Sequence, residues 1–255
     1  ITNGVDTFFL LFYAVGTLTI RVPICMLTKR QAKILADIVE TYIEKSEPVG
    51  SALLAGSKRW PVSSATLRNE MSALEKEGYV THQYTSSGRL PTAHGYRYYV
   101  DHFLIPSKLG ETVKQRLIKA WSGGDHEAKV KSLARELAEL AEVAVVAVFT
   151  EDHLYYTGFS HLLSAPEFLD PDLLRNLALG LDDSEDHFKM LMPKLEDSVN
   201  IFIGDETGFI TACSFITTPL SYGDTHGMLG LLGPMRMNYN RNCGFLAFTY
   251  ALTRS

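Results

Sequence analysis

Between residues 27 and 104 the apolar positions repeat at helical spacing and are separated by short polar breaks. Ile34, Leu35, Ile38, Val39, Tyr42 and Ile43 fall on one face over about four turns, which predicts a helix. Thr28, with Gln31 three residues on, can form a capping box at its start. The segment EPVGS (47–51) breaks that helix, and Ser51 can cap a short second one, SALLAGSK. After RWPVS (59–63), Ser63 or Ser64 can cap a third helix ending near Glu77, with Gly78 in the left-handed position beyond it. Leu67, Met71 and Leu74 stand at i, i+4 and i+7 and should face the core. The period then shortens: residues 79–84 read as a strand, TSSGR (85–89) as a tight turn in which Gly88 supplies the permissive backbone position, and Leu90-Pro91 as the return. Thr92 caps a fourth helix whose Tyr96, Tyr99, Val100 and Phe103 line one side as core.

Residues 105–125 read as a linker with a short amphipathic piece, closed by Gly123-Gly124. From about 126 to 142 the repeat of Val130, Leu133, Leu137 and Leu140 predicts a helix. AEVAVVAVFT (141–150) is a near-continuous apolar run, as in a strand buried in the middle of a sheet. A strand at 154–158, helices around 171–180 and 186–195, strands at 200–204, 212–219 and 228–233, and a closing helix from 239 to about 252 complete an α+β domain. Pro171 suits the first turn of its helix. The expected division is a unit of helices and a hairpin at 27–104, a linker at 105–125 and an α+β domain at 126–255. The apolar part of residues 1–26 is shorter than the ~20 residues of a membrane span, and no basic residue precedes it as in a signal peptide. The expectation is that residues 1–25 are a translated upstream region and that the fold starts at Met26.

Helix, short helix, helix, hairpin is the order of a winged helix-turn-helix. In the third helix Thr66, Arg68, Asn69, Ser72 and Ala73 are left on the outer faces. Arginine can pair with guanine and asparagine with adenine in the major groove, although a solvated surface satisfies the same spacing. The candidate contacts are Thr66, Arg68 and Asn69 for base edges, flanked by Ser64 and Ser72, with Ser87 and Arg89 from the wing. Composition enters here as an objection: 24 Lys+Arg against 29 Asp+Glu give a net charge of −5, unlike a nucleic-acid binder. Divided along the chain, the charge is +2 over 27–104 (10 against 8) and −7 over 105–255 (13 against 20), so the basic excess lies with the helix-turn-helix.

Chemistry elsewhere is sparse. A hydrophobic fraction of 46% supports a sizeable core and excludes a disordered chain. Cys25, Cys213 and Cys243 are isolated, so buried free thiols in a cytoplasmic protein are expected rather than disulfides or zinc. GMLGLLG (227–233) opens no helix and is followed by no GK[ST], so its glycines read as close-packing points, not a phosphate loop. Asp152-His153 and Ser160-His161 complete no triad, and the acidic run at 182–186 lacks calcium-loop spacing. No catalysis, cofactor or metal is expected.

Three motifs in order, LTKRQAKILADIVETYIEKSEPVGS, VSSATLRNEMSALEKEGYV and TSSGRLPTAHGYRYYVD, resemble the amino-terminal domain of the HrcA family of heat-inducible transcription repressors. YYTGFSHLLSAPEF, SVNIFIGDE, CSFITTPLSYGD and GMLGLLGPMRMNY are similar to that family's later segments, so the likeness covers most of 27–240. The resemblance implies a winged helix followed by a GAF-like α+β domain. It also implies a homodimer on double-stranded DNA, at the inverted-repeat CIRCE operator of chaperone genes, and the chaperonin GroEL as modulator, with no membrane. Where family members carry a longer central region with an inserted dimerising domain, only residues 150–154 or so stand here, which reads as a short form. That departure leaves open a GAF-like sensor or protein-interaction module with lost or weakened operator binding.

Overall fold

The apolar run is a strand, β3 (Ala144–Thr150), buried on both faces in the computed structural model. That structure describes residues 27–254 except 58, 83, 85, 86, 151, 152, 209, 223 and 224, so the expectation for the first 26 residues lies outside it. Val145, Ala147 and Phe149 of β3 join one apolar cluster, and Ala144, Val146 and Val148 join another. Side chains alternate across a strand, so a strand covered on both faces has no polar position to offer. β3 pairs antiparallel with β4 (His153–Thr157) on one side and β7 (Thr225–Pro234) on the other. β6 (Cys213–Tyr222) and β5 (Asn200–Ile203) extend the sheet in the order β4-β3-β7-β6-β5, antiparallel throughout.

Three helices cover one face: α7 (Phe159–Leu163), α8 (Pro171–Asp182) and α9 (Ser184–Leu191), through Leu162, Leu177, Phe188 and Leu191. α6 (His126–Ala141) and α10 (Tyr239–Thr253) cover the other. α7 was not foreseen: its entry depends on Gly158 at φ +77°, where a Cβ would lie 2.5 Å from the Val143 carbonyl oxygen. The glycines of β7 do mark close packing. At Gly230 a Cβ would stand 2.2 Å from the Phe215 ring, and at Gly227 2.1 Å from the Val148 carbonyl oxygen.

The amino-terminal unit consists of α1 (Lys29–Lys45), α2 (Ser51–Gly56), α3 (Ser64–Lys76), the two-residue strands β1 (Val80–Thr81) and β2 (Leu90–Pro91), and α4 (Ala93–Phe103). The capping box of Thr28 and Gln31 is formed, and Ser63 caps α3 by accepting the Thr66 N–H at 3.2 Å. Ser51 is not a cap. Gly50 precedes α2, and the Ser51 hydroxyl is buried against that of Ser64 at 2.9 Å. The strand expected over 79–84 shrinks to two residues for two reasons. The Tyr79 N–H closes the end of α3 on the Leu74 carbonyl (3.0 Å), and Arg89 exchanges backbone hydrogen bonds with Val49 (2.9 and 2.8 Å) instead of with the outgoing strand. Gly88 is glycine through that approach and not through a left-handed turn: a Cβ there would lie 2.6 Å from the backbone of Pro48 and Val49.

The amphipathic piece of residues 105–125 is α5 (Glu111–Ala120), with Leu117 and Ala120 buried. Residues 104–110 run against α10, where Asn240 accepts the Ile105 N–H at 3.0 Å and Gly244 leaves room for Ser107. The core of the winged helix is continuous with the helical face of the sheet, one cluster running from Ile34 to Leu246. Among the described residues no helix is long and apolar enough to cross a membrane. Gly95 sits where α4 meets the wing, and a Cβ there would be 2.1 Å from the Tyr79 carbonyl oxygen, a backbone atom that cannot turn away. Gly95→Ala should therefore cost about 2 kcal/mol in a denaturant titration. Gly56→Ala, with nothing within 4 Å of its Cβ, should stay within about 0.5 kcal/mol.

Candidate nucleic-acid interface

Helix α3 is held from behind by Leu67, Met71 and Leu74, all buried. Its approach is fixed by the turn that precedes it. Trp60 Nε1 donates to Asp37 Oδ2 at 2.6 Å, and Arg59 pairs with the other oxygen of the same carboxylate at 3.0 Å, so the turn is pinned to α1. Arg68 and Asn69 are both exposed on the side of α3 away from this core. Thr66 and Ser72 are half-buried beside them, and the Thr66 hydroxyl lies 3.0 Å from that of Ser63. Ser64 stands apart from this group, since its hydroxyl faces Ser51 in the joint between α2 and α3.

The wing residues are engaged locally. Ser87 Oγ donates to the Tyr84 carbonyl at 2.7 Å and accepts the Tyr84 N–H at 3.1 Å, closing the turn on itself. Arg89 is not at the hairpin tip. Its side chain is only 17% exposed and lies on Glu75 of α3 at 2.7 Å. Glu75 also receives a hydrogen bond from His82, so one carboxylate ties both legs of the wing to α3. The remaining acidic side chain on that stretch, Glu70, is paired with Arg30 of α1 at 3.5 Å. Sequence reasoning passed over Glu75 and Asp37. The signal was a carboxylate on each helix opposite basic residues in the loops, legible only once the loops are placed.

Among the described residues, the polar groups of the sheet domain assemble no second site. His161 turns to Glu139 (3.4 Å) and not to Ser160, and His153 stands 3.6 Å from Glu127; Asp152 lies outside the described residues. Burial pushes the thiols of Cys213 and Cys243 up to about 12, which keeps them protonated and unreactive. The acidic run at 182–186 joins α8 to α9, and within it the Ser184 hydroxyl is spent on Leu181 and Tyr156. A cleft of about 670 Å³ opens between α1 and the start of α10, with Glu40 and Glu44 on one wall and Arg236 and Arg241 on the other.

Partial burial works to raise the Glu75 carboxyl, but the hydrogen bond from His82 and the charge of Arg89 outweigh it and hold the group below its ordinary value. A depressed carboxylate contributes stability above its unfolded-state pKa and loses it as the pH falls through the folded one. Glu75→Gln should therefore lower the thermal midpoint at neutral pH, and the gap from the wild type should close below the ordinary carboxylate range. A gap that persisted there, in melts followed by circular dichroism, would assign Glu75 a purely steric role.

The fold and the interface can be set beside known proteins. The family model described as "HrcA protein C terminal domain" matches residues 102–242. The chain is 26% identical to the heat-inducible transcription repressor HrcA of Shouchella clausii, over 85% of this chain and 94% of that protein. Its identity to the same-named protein of Pediococcus pentosaceus is 44% over 115 residues, 45% of this chain and 33% of that one. A crystal structure described as that of a hypothetical protein superposes with a TM-score of 0.70 at 19% identity, covering 90% of this chain and 98% of the other, and so shares the mixed α+β fold. With more than half its length matched by the family model and a helix-turn-helix on its surface, the chain belongs to the HrcA family, whose members are transcription regulators and not enzymes.

Proposed function

We propose that this protein is a cytoplasmic repressor of heat-shock (chaperone) genes that binds an inverted-repeat, CIRCE-type operator as a homodimer and is released on heat stress, with the chaperonin GroEL as a modulator. The observation that carries the reading is the exposed pair Arg68 and Asn69 on a helix whose opposite face is buried. A rigidly backed helix offering one guanidinium and one carboxamide suits the major groove, where the first reads guanine and the second adenine. Thr66 and Ser72 would flank them on the base-edge side, while Ser64, Ser87 and Arg89 would act by holding the joint and the wing. An inverted repeat calls for two copies related by a two-fold axis. The five-stranded antiparallel sheet with helices on both faces supports the GAF-like reading of the second unit.

The short-form reading has support in the alignment to the Shouchella clausii protein. It runs over 321 positions but draws on 85% of a 255-residue chain, so about a hundred positions of the relative face no residue here. The engaged Arg89 and the cleft between the two units favour the second reading, a sensor or interaction module with weakened operator binding.

Titration of an operator duplex and of a scrambled one, at several salt concentrations, separates the two. On the repressor reading Arg68→Ala costs about 1–3 kcal/mol on the operator and narrows the preference over scrambled DNA. Equal loss on both duplexes would make Arg68 a phosphate contact. Sedimentation at micromolar concentration should give a dimer when operator is present; a monomer with and without DNA would end the dimer proposal.

A further inference from the structure

The sequence points to Ser87 and Arg89 as the wing's contacts, and the structure engages both side chains within the protein. Ser87 closes the turn by bonding both backbone polar groups of Tyr84, and Arg89 lies on Glu75 with its Nη1 also donating to the Ser87 carbonyl at 3.3 Å. His82 is bonded to the same carboxylate. Among the described wing residues Tyr84 is the large side chain left exposed, at 73%, and no hydrogen bond or ring contact with a described residue engages it. Its backbone is held by three bonds to Ser87, because the Ser87 N–H also donates to the Tyr84 carbonyl at 2.9 Å.

A large amphipathic side chain fixed at its base and free at its tip is unusual on a polar hairpin. Both legs of the hairpin are tied to α3 through Glu75, by His82 before Tyr84 in the chain and by Arg89 after it. Tyrosine hydroxyls are among the neutral donors that contact DNA phosphates, and two side-chain torsions are a small entropy to lose on binding. We infer that Tyr84 is the wing's contact with the duplex, its hydroxyl donating to a backbone phosphate oxygen beside the groove that α3 occupies. This rests on the DNA-binding reading above. It deepens that reading by moving the wing's contribution from a charged side chain to a neutral one.

The test uses the full chain with Tyr84→Phe and Tyr84→Ala, titrated on a CIRCE-type inverted-repeat duplex and on a scrambled duplex across a range of salt. Losing a hydrogen bond to a charged acceptor should weaken binding about tenfold in both variants. The loss should be the same on both duplexes, because phosphates carry no sequence. The slope of affinity against salt should not change, because no cation is removed. Melting temperatures should match the wild type, since the side chain is 73% exposed. Wild-type affinity in Tyr84→Phe overturns the proposal, and so does a loss confined to the inverted repeat. A wild-type protein that binds both duplexes equally would instead overturn the operator reading, while the contribution of Tyr84 is still read on either duplex. Absence of binding to both at low salt would overturn the two together.

Discussion

The burial of one side of α4 is the constraint on which the placement of α3 depends. Tyr96, Tyr99 and Val100 are buried there, with the Tyr96 ring 5.8 Å from that of Tyr239 at the start of α10. Each such side chain removed from water contributes on the order of 1.5–3 kcal/mol. Burial also drives the Tyr96 and Tyr239 phenols well above their ordinary range, so both stay neutral. A polar clamp lies beside them. Arg97 donates to Glu206 at 2.9 Å and to the Ile201 carbonyl at 2.7 Å, and pairs with Asp101 at 3.2 Å. Those side chains remain partly exposed to solvent, where ion pairs contribute little. Aromatic burial therefore supplies the attachment and Arg97 its direction, since a bidentate guanidinium accepts only a narrow range of approach. Through the wing, which begins at Tyr79 and ends at Thr92, that direction is passed to α3.

The electrostatics follow from the same arrangement. Three of the eight acids of the helix-turn-helix unit, Asp37, Glu70 and Glu75, are each paired with a basic residue from elsewhere in the unit. Those pairs remove the repulsion that acids would exert on a phosphate backbone, but they also consume Arg30, Arg59 and Arg89. What remains for DNA is a small positive excess at one end of a molecule whose other part carries −7. If DNA is met through α3 as proposed, such a distribution would orient the protein, favouring approach through α3 and disfavouring it through the sheet domain, without a large non-specific affinity.

What could be read from the sequence was whatever local chemistry decides. The Thr28–Gln31 box, the Ser63 cap, the left-handed Gly78 and the three buried positions of α3 depend on neighbours a few residues away, and each stands as the pattern predicts. The same holds for β3, whose unbroken apolar run allows no solvent face. The errors occur where a distant partner decides. The wing's outgoing leg has strand composition, yet its pairing partner is diverted to Val49, and Arg89 looks like a surface cation until Glu75 is set beside it. Gly88 suggested a turn and serves an approach, a distinction that no single sequence position carries.

The continuous core has a consequence for the proposed heat response. If the winged helix and the sheet domain had separate cores, heating could melt one and leave the DNA-binding surface intact. Here Ile34, Leu67 and Tyr96 belong to the same buried cluster as Leu137, Leu231 and Leu246. Loss of packing beneath the sheet removes the support of α4, and with it the orientation of α3. On the proposed function, a cooperative transition of this kind would abolish operator binding over the few degrees in which the core melts. On this reading no dedicated thermosensor is required, because the stability of the interior would itself report temperature. Agents that favour the folded state would then strengthen repression through mass action on that single equilibrium.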